Sequence, residues 1–97
     1  MDINEDTPLH YSADSGFLCV FKYLIFQGAD PNANNINKET PLHLASVKGR
    51  IEVVEYLVNL GVDINVTNSF GKTPLALSIE YKRVNVTCFL EKSRAIK

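Results

Sequence analysis

Thr-Pro-Leu opens at Thr7, Thr40 and Thr73, each start 33 residues after the last. A chain with a fixed period of this length cannot be arranged around one central core. Each period is a supersecondary unit that buries its apolar face only against the next unit, so the chain must stack. The period extends beyond the motif. Shifted by 33, residues 7–39 and 40–72 agree at twelve positions, among them Gly16/Gly49, Val20/Val53, Tyr23/Tyr56, Leu24/Leu57, Gly28/Gly61, Asp30/Asp63, Asn32/Asn65 and Asn35/Asn68.

Local chemistry gives each unit the order helix, turn, helix, extended segment. Threonine is a good N-cap, because its hydroxyl accepts from a free backbone N–H of the first turn. Proline then fits the first helical position, where its missing N–H costs nothing. Gly16 and Gly49 are placed to end the first helices in a left-handed conformation. Lys82 holds that place in the third unit and fits a positive φ less easily. The second helices are more strongly patterned. In Ile51–Leu60 apolar residues cover a wide face while Glu52, Glu55 and Asn59 mark the wet side. Gly28 and Gly61 follow as stops, and Asp30-x-Asn32 and Asp63-x-Asn65 suit turns. The polar segments 32–39 and 65–72 are expected to project as hairpins.

This pattern resembles the ankyrin repeat, whose 33-residue period and Thr-Pro-Leu-His signature match Thr7–His10 and Thr40–His43. The third copy departs from the signature at Ala76. The resemblance implies an all-α solenoid of stacked helix-turn-helix units with short projecting β-hairpins. It makes residues 1–97 a single domain, with repeats at 7–39 and 40–72 and a C-terminal cap at 73–97. Family hairpins usually carry glycine two residues before the threonine. Gly71 conforms, whereas Glu5 and Lys38 do not, so Asn35 or Asn37 is expected to take the left-handed conformation in the second hairpin.

Composition narrows the function. The formal net charge is −1, with lysines and arginines scattered, so no basic field points to nucleic acid. No apolar run approaches the ~20 residues that cross a bilayer, so no membrane role is expected. The acidic, polar start Met1–Asp6 is unlike a signal peptide. Cys19 and Cys88 lie two units apart, roughly 20 Å at ordinary helix spacing, too far for a disulfide. They are expected to be free thiols in a reducing, intracellular setting, cytoplasmic or nuclear. Asn65-Val-Thr67 and Asn85-Val-Thr87 match a glycosylation triplet by coincidence in such a setting.

Catalytic chemistry is not evident. His10 and His43 fit a structural role, bridging the capping threonine and nearby backbone, better than metal ligation. No carboxylate cluster, Cys-x-x-Cys pair or glycine-rich phosphate loop accompanies them. Ser12 and Ser15 near His10 lack a third group to complete a triad. Glu52 and Glu55 mark a solvated face. We expect no enzyme activity, no metal and no cofactor.

The end units differ. Opposite Val54, Val58 and Leu60 the third unit carries Thr87, Glu91 and Ser93, a polar outer surface that is expected to end the stack near Lys97. The first unit has the reverse character. Phe17, Cys19 and Phe26 stand where the second unit has Arg50, Glu52 and Asn59. Either these side chains fold partly over one another, or the patch is a contact surface, for self-association through Phe17, Cys19 and Phe26 (a monomer or weak homo-oligomer) or for docking onto a larger partner.

The resemblance also implies a recognition surface: hairpin tips and the inner face of the first helices, forming a groove for a protein partner. In this sequence the helix positions are Asp14, Ser15, Val47, Lys48, Glu80 and Tyr81. The tips are Ile36, Asn37 and Glu39, then Ser69, Phe70 and Lys72, with Ile3, Asn4 and Asp6 in the first unit. Ile36, Phe70, Val47 and Tyr81 are the apolar anchors among charged neighbours, as at interface hot spots. The expected function is therefore a non-catalytic protein-binding module, acting as adaptor, scaffold or inhibitor. The alternative is a structural subunit joined through its first repeat.

Overall fold

The computed structural model describes residues 7–93. Six helices run in pairs: α1 (Pro8–Ser15) and α2 (Leu18–Phe26), α3 (Pro41–Lys48) and α4 (Ile51–Leu60), α5 (Pro74–Glu80) and α6 (Val84–Lys92). α1, α3 and α5 pack side by side as an inner row, and α2, α4 and α6 lie behind them as an outer row. Helices of seven to ten residues are too short to persist alone in water. They hold because Leu9, Ala13, Phe21, Leu42, Ala45, Val53, Val54, Leu57, Leu75, Val86 and Leu90 form one buried cluster running through all three units.

Each inner helix starts as its sequence predicts. The hydroxyls of Thr7, Thr40 and Thr73 accept from the backbone N–H three residues on, and proline occupies the first turn. In the first two units histidine replaces the usual glutamate of a capping box. The Thr7 and Thr40 backbone N–H groups donate to Nδ1 of His10 and His43, each at 3.1 Å. Nδ1 is therefore the unprotonated nitrogen, and Nε2 donates to a backbone carbonyl: Glu39 for His10 (2.8 Å) and Lys72 for His43 (3.1 Å). Each imidazole ties the start of an inner helix to the segment that leads into the next unit.

Between units the joints are specific. Phe21 meets Tyr56 edge to face, with centroids 6.0 Å apart, and Lys22 lies over the same ring. Arg50 Nε donates to the Asp14 carbonyl at 3.0 Å, and Arg83 Nε to the Val47 carbonyl at 2.8 Å. Both guanidinium groups thus satisfy a late carbonyl of the inner helix one unit back.

Three expectations need correction. The segments expected as β-hairpins contain no strand among the described residues. They are tight turns built by one asparagine each. Asn35 Oδ1 accepts from the N–H groups of Asn37 and Glu39, and Asn68 Oδ1 from those of Phe70 and Lys72. Besides the two donors taken by the side chain, each loop is closed by two backbone bonds, from Asn35 N–H to the Glu39 carbonyl and Lys38 N–H to the Asn35 carbonyl, and likewise from Asn68 to Lys72 and Gly71 to Asn68, a tight turn and not an extended ladder. In the second turn the left-handed residue is Lys38 itself (φ 60°), because Asn35 and Asn37 are committed to this bonding. Lys82 likewise adopts a φ of 59° in spite of its side chain. Finally, the contrast between unit two and the polar third unit rests on buried Val54 and half-buried Val58; Leu60 is already exposed, so Ser93 adds nothing there.

Candidate functional site

The inner row of helices and the turn tips enclose one shallow groove of about 420 Å³, lined by Asp14, Glu39, Leu44, Val47, Lys48, Asn68, Phe70, Lys72, Leu77, Glu80 and Tyr81. Eight of the residues anticipated from the sequence meet here: Asp14, Glu39, Val47, Lys48, Phe70, Lys72, Glu80 and Tyr81. Ser15, Ile36, Asn37 and Ser69 do not line it. Ile36, of the expected quartet of anchors, stands on the second tip as an exposed side chain apart from the groove lining. Ile3, Asn4 and Asp6 lie outside the described residues.

The positions arise from the helix period. Leu44 and Val47 are three apart on α3, as are Leu77 and Glu80 on α5, so each pair shares the inner face. Phe70 is raised over this floor by the Asn68 turn and is 72% exposed. Tyr81 caps α5 and is also exposed. Lys72 and Glu80 form an ion pair across the groove between the third tip and α5. Among the described residues no cation pairs with the carboxylates of Asp14 or Glu39; Glu39 accepts from the Asn35 side-chain amide at 3.0 Å. The groove thus has an apolar floor, two prominent aromatic rings and charges of both signs, Asp14, Glu39 and Glu80 with Lys48 and Lys72.

Leu44, Asn68 and Leu77 were missed by the sequence reading. The signal for the leucines was their 33-residue separation and their place one turn before Val47 and Glu80. Asn68 looked like a turn former, which it is, yet the same turn brings it to the groove wall.

The neighbouring tips are tied together. The Ser69 N–H donates to the Asn37 carbonyl at 2.9 Å, so the residues that do not face the groove still set the spacing of those that do.

Phe17, Cys19 and Phe26 are all exposed on α2 and its N-cap, away from the groove. Cys19 and Cys88 are free thiols. His43 is fully buried, and burial pushes its imidazole below the ordinary value, against the opposing pull of the Lys72 carbonyl, the Glu39 charge and the Val66 backbone. Its bonding uses both ring nitrogens, which leaves neither for a ligand. Among the described residues no three His, Cys, Asp or Glu side chains gather as a metal site, and no helix is long and apolar enough to cross a membrane.

A search of curated proteins returned no match. The family model for ankyrin repeats in three copies matches residues 9–96, from the first turn of α1 through the asparagine turns and the groove to the end of α6. By that match and by the three-unit stack described above, the chain belongs to the ankyrin-repeat family.

Proposed function

We propose that this chain binds a segment of a partner protein in the groove and performs no chemistry on it, as an adaptor, scaffold or inhibitor. Ankyrin repeats are generally protein–protein interaction modules. The observation that carries the finer reading is the groove itself, where Phe70 and Tyr81 stand exposed over a floor made by Leu44, Val47 and Leu77. Exposed rings beside a concave apolar floor supply the buried anchors from which most interface affinity comes, each worth about 2 kcal/mol. The charges set the partner's polarity. Lys72 and Glu80 neutralise each other, which leaves the two carboxylates of Asp14 and Glu39 against the one ammonium of Lys48. The segment that fits has an apolar or aromatic residue for the rings and a lysine or arginine for the carboxylates.

Panning a random-peptide phage library on the immobilised protein tests this. Enriched peptides should lose at least tenfold in affinity for Phe70→Ala and Tyr81→Ala, since a lost anchor of about 2 kcal/mol exceeds the 1.4 kcal/mol of one decade. The thermal midpoints of both variants should stay close to wild type, because the two rings are exposed. Peptides that bind the variants as well as the wild type would place recognition elsewhere.

A further inference from the structure

The cations are scattered along the sequence, but the fold collects three of them. Lys48 ends α3, and Lys82 and Arg83 join α5 to α6 one unit on. All three border a hollow of about 280 Å³ at the junction of the second and third units. Among the described residues no carboxylate lines this hollow, and none of the three cations is in an ion pair. Glu80, two residues before Lys82, is taken by Lys72. Arg83 is held in place: its Nε is fixed on the Val47 carbonyl, which leaves the two Nη groups for another acceptor.

The matching junction of the first and second units has no such character. There Ser15, Gly49 and Arg50 hold the places of Lys48, Lys82 and Arg83, and Glu52 stands beside Arg50 in the lining. Every outer helix opens without a side-chain cap, so the helix end distinguishes neither junction; the side chains do. A hollow lined by one sign of charge focuses its field on a ligand of the other sign. This one is also continuous with the groove. Lys48 borders both, and Tyr81 on the groove is followed in the chain by Lys82 on the hollow.

We propose that the partner segment carries, beyond its apolar anchor, an acidic stretch of Asp or Glu side chains that lies in this hollow against Lys48, Lys82 and Arg83. Such a stretch presupposes the groove-bound segment of the proposed function and gives it a polarity. Asp14 stands on the first unit, and Lys82 and Arg83 stand on the third. The segment's basic residue therefore lies toward the first unit and its acidic residues toward the third, so one chain direction is favoured. Carboxylates suit the hollow better than a phosphoryl group, which is held by donors converging from a fixed frame. Here only Arg83 is fixed, while Lys48 and Lys82 are exposed on flexible stems. A nucleic-acid backbone calls for a longer row of cations than three around one hollow, on a chain of net charge −1.

The test pans a random-peptide phage library on the full chain, on Phe70→Ala and on the double variant Lys48→Ser, Lys82→Gly. The double variant takes residues already present one unit earlier, Ser15 and Gly49, and it leaves the Arg83 bond intact. Its thermal midpoint checks that it folds, and Lys82→Gly alone carries the same comparison with one charge removed. Wild-type peptides should carry Asp or Glu on one fixed side of the anchor and Lys or Arg on the other. One such peptide, followed by fluorescence anisotropy, should bind the double variant roughly three- to tenfold more weakly at low salt, the effect of two exposed charge pairs. The difference should shrink in about 0.5 M salt, where such pairs are screened. With its acids changed to Asn or Gln, the peptide should bind both proteins alike. Peptides that need Phe70 yet show no acidic side overturn the proposal and leave the groove reading standing. So do acids whose neutralisation weakens binding equally on both proteins. Peptides indifferent to Phe70→Ala overturn the groove reading, and the acidic stretch falls with it.

Discussion

His43 is held neutral by its surroundings. Nδ1 receives the Thr40 N–H, so a second ring proton would point at a donor inside a buried site. The folded state therefore resists protonation, while the unfolded chain takes up the proton near the ordinary imidazole value of about 6.5. The sign follows: the folded pKa is lowered, so stability is intact above about pH 6.5 and falls as pH drops below it, until the folded site itself titrates. Urea unfolding at pH 7.5 and 5.5 should show a loss of no more than about 1.4 kcal/mol per pH unit from this group. His43→Gln should flatten the slope while lowering stability at pH 7.5. An equal slope in the variant would assign the effect to other groups. A second residue-scale test concerns Lys38, whose φ of 60° costs a side-chain-bearing residue roughly 1–2 kcal/mol. Lys38→Gly relieves this at an entropic cost in the unfolded chain, and should stabilise by about 0.5 kcal/mol in the same assay. Destabilisation would show that the lysine side chain contributes a contact of its own.

At the scale of elements, legibility divided along physical lines. Helix starts were readable because capping is local: threonine, proline and histidine act on backbone within three residues. The pairing of helices was readable because apolar residues recur at helical spacing. The loops were harder. Asn35 and Asn68 were visible as repeated turn residues, yet their double acceptance of backbone donors, which displaces a strand ladder, depends on a loop closure that no periodicity encodes. The arginines were harder still. Arg50 read only as a polar counterpart of Phe17, and it is the stack that brings it, and Arg83 in the third unit, to a carbonyl of the preceding inner helix. Arg83→Ala should therefore cost about 1–2 kcal/mol, typical of a hydrogen bond from a charged donor. Arg83→Lys should recover little of it, since an ammonium cannot reproduce the Nε geometry. Full recovery by lysine would mean that charge alone, rather than the directed bond, holds the joint.

For the whole molecule, stability is a sum of unit and interface contributions, and the units are unequally placed. The middle unit has a neighbour on each side, and Val53, Val54 and Leu57 are fully buried there. Hydrogen exchange at neutral pH should find the slowest amides in α3 and α4, with α2 faster because Val20 and Tyr23 lack cover. Uniform protection across the six helices would indicate a single cooperative block. At this scale the 33-residue phase brings Asp14, Val47, Phe70 and Tyr81 to one groove, as their spacing in the sequence suggests. Ile36 lies outside the groove lining, because the twist of a short turn decides where a tip side chain points and leaves no trace in the period. The bond from the Ser69 amide to the Asn37 carbonyl has a final consequence. Two loops that would otherwise wander separately are moored to each other before any guest arrives. A segment bound as proposed would then have little loop freedom left to freeze, so more of its contact energy would survive as affinity.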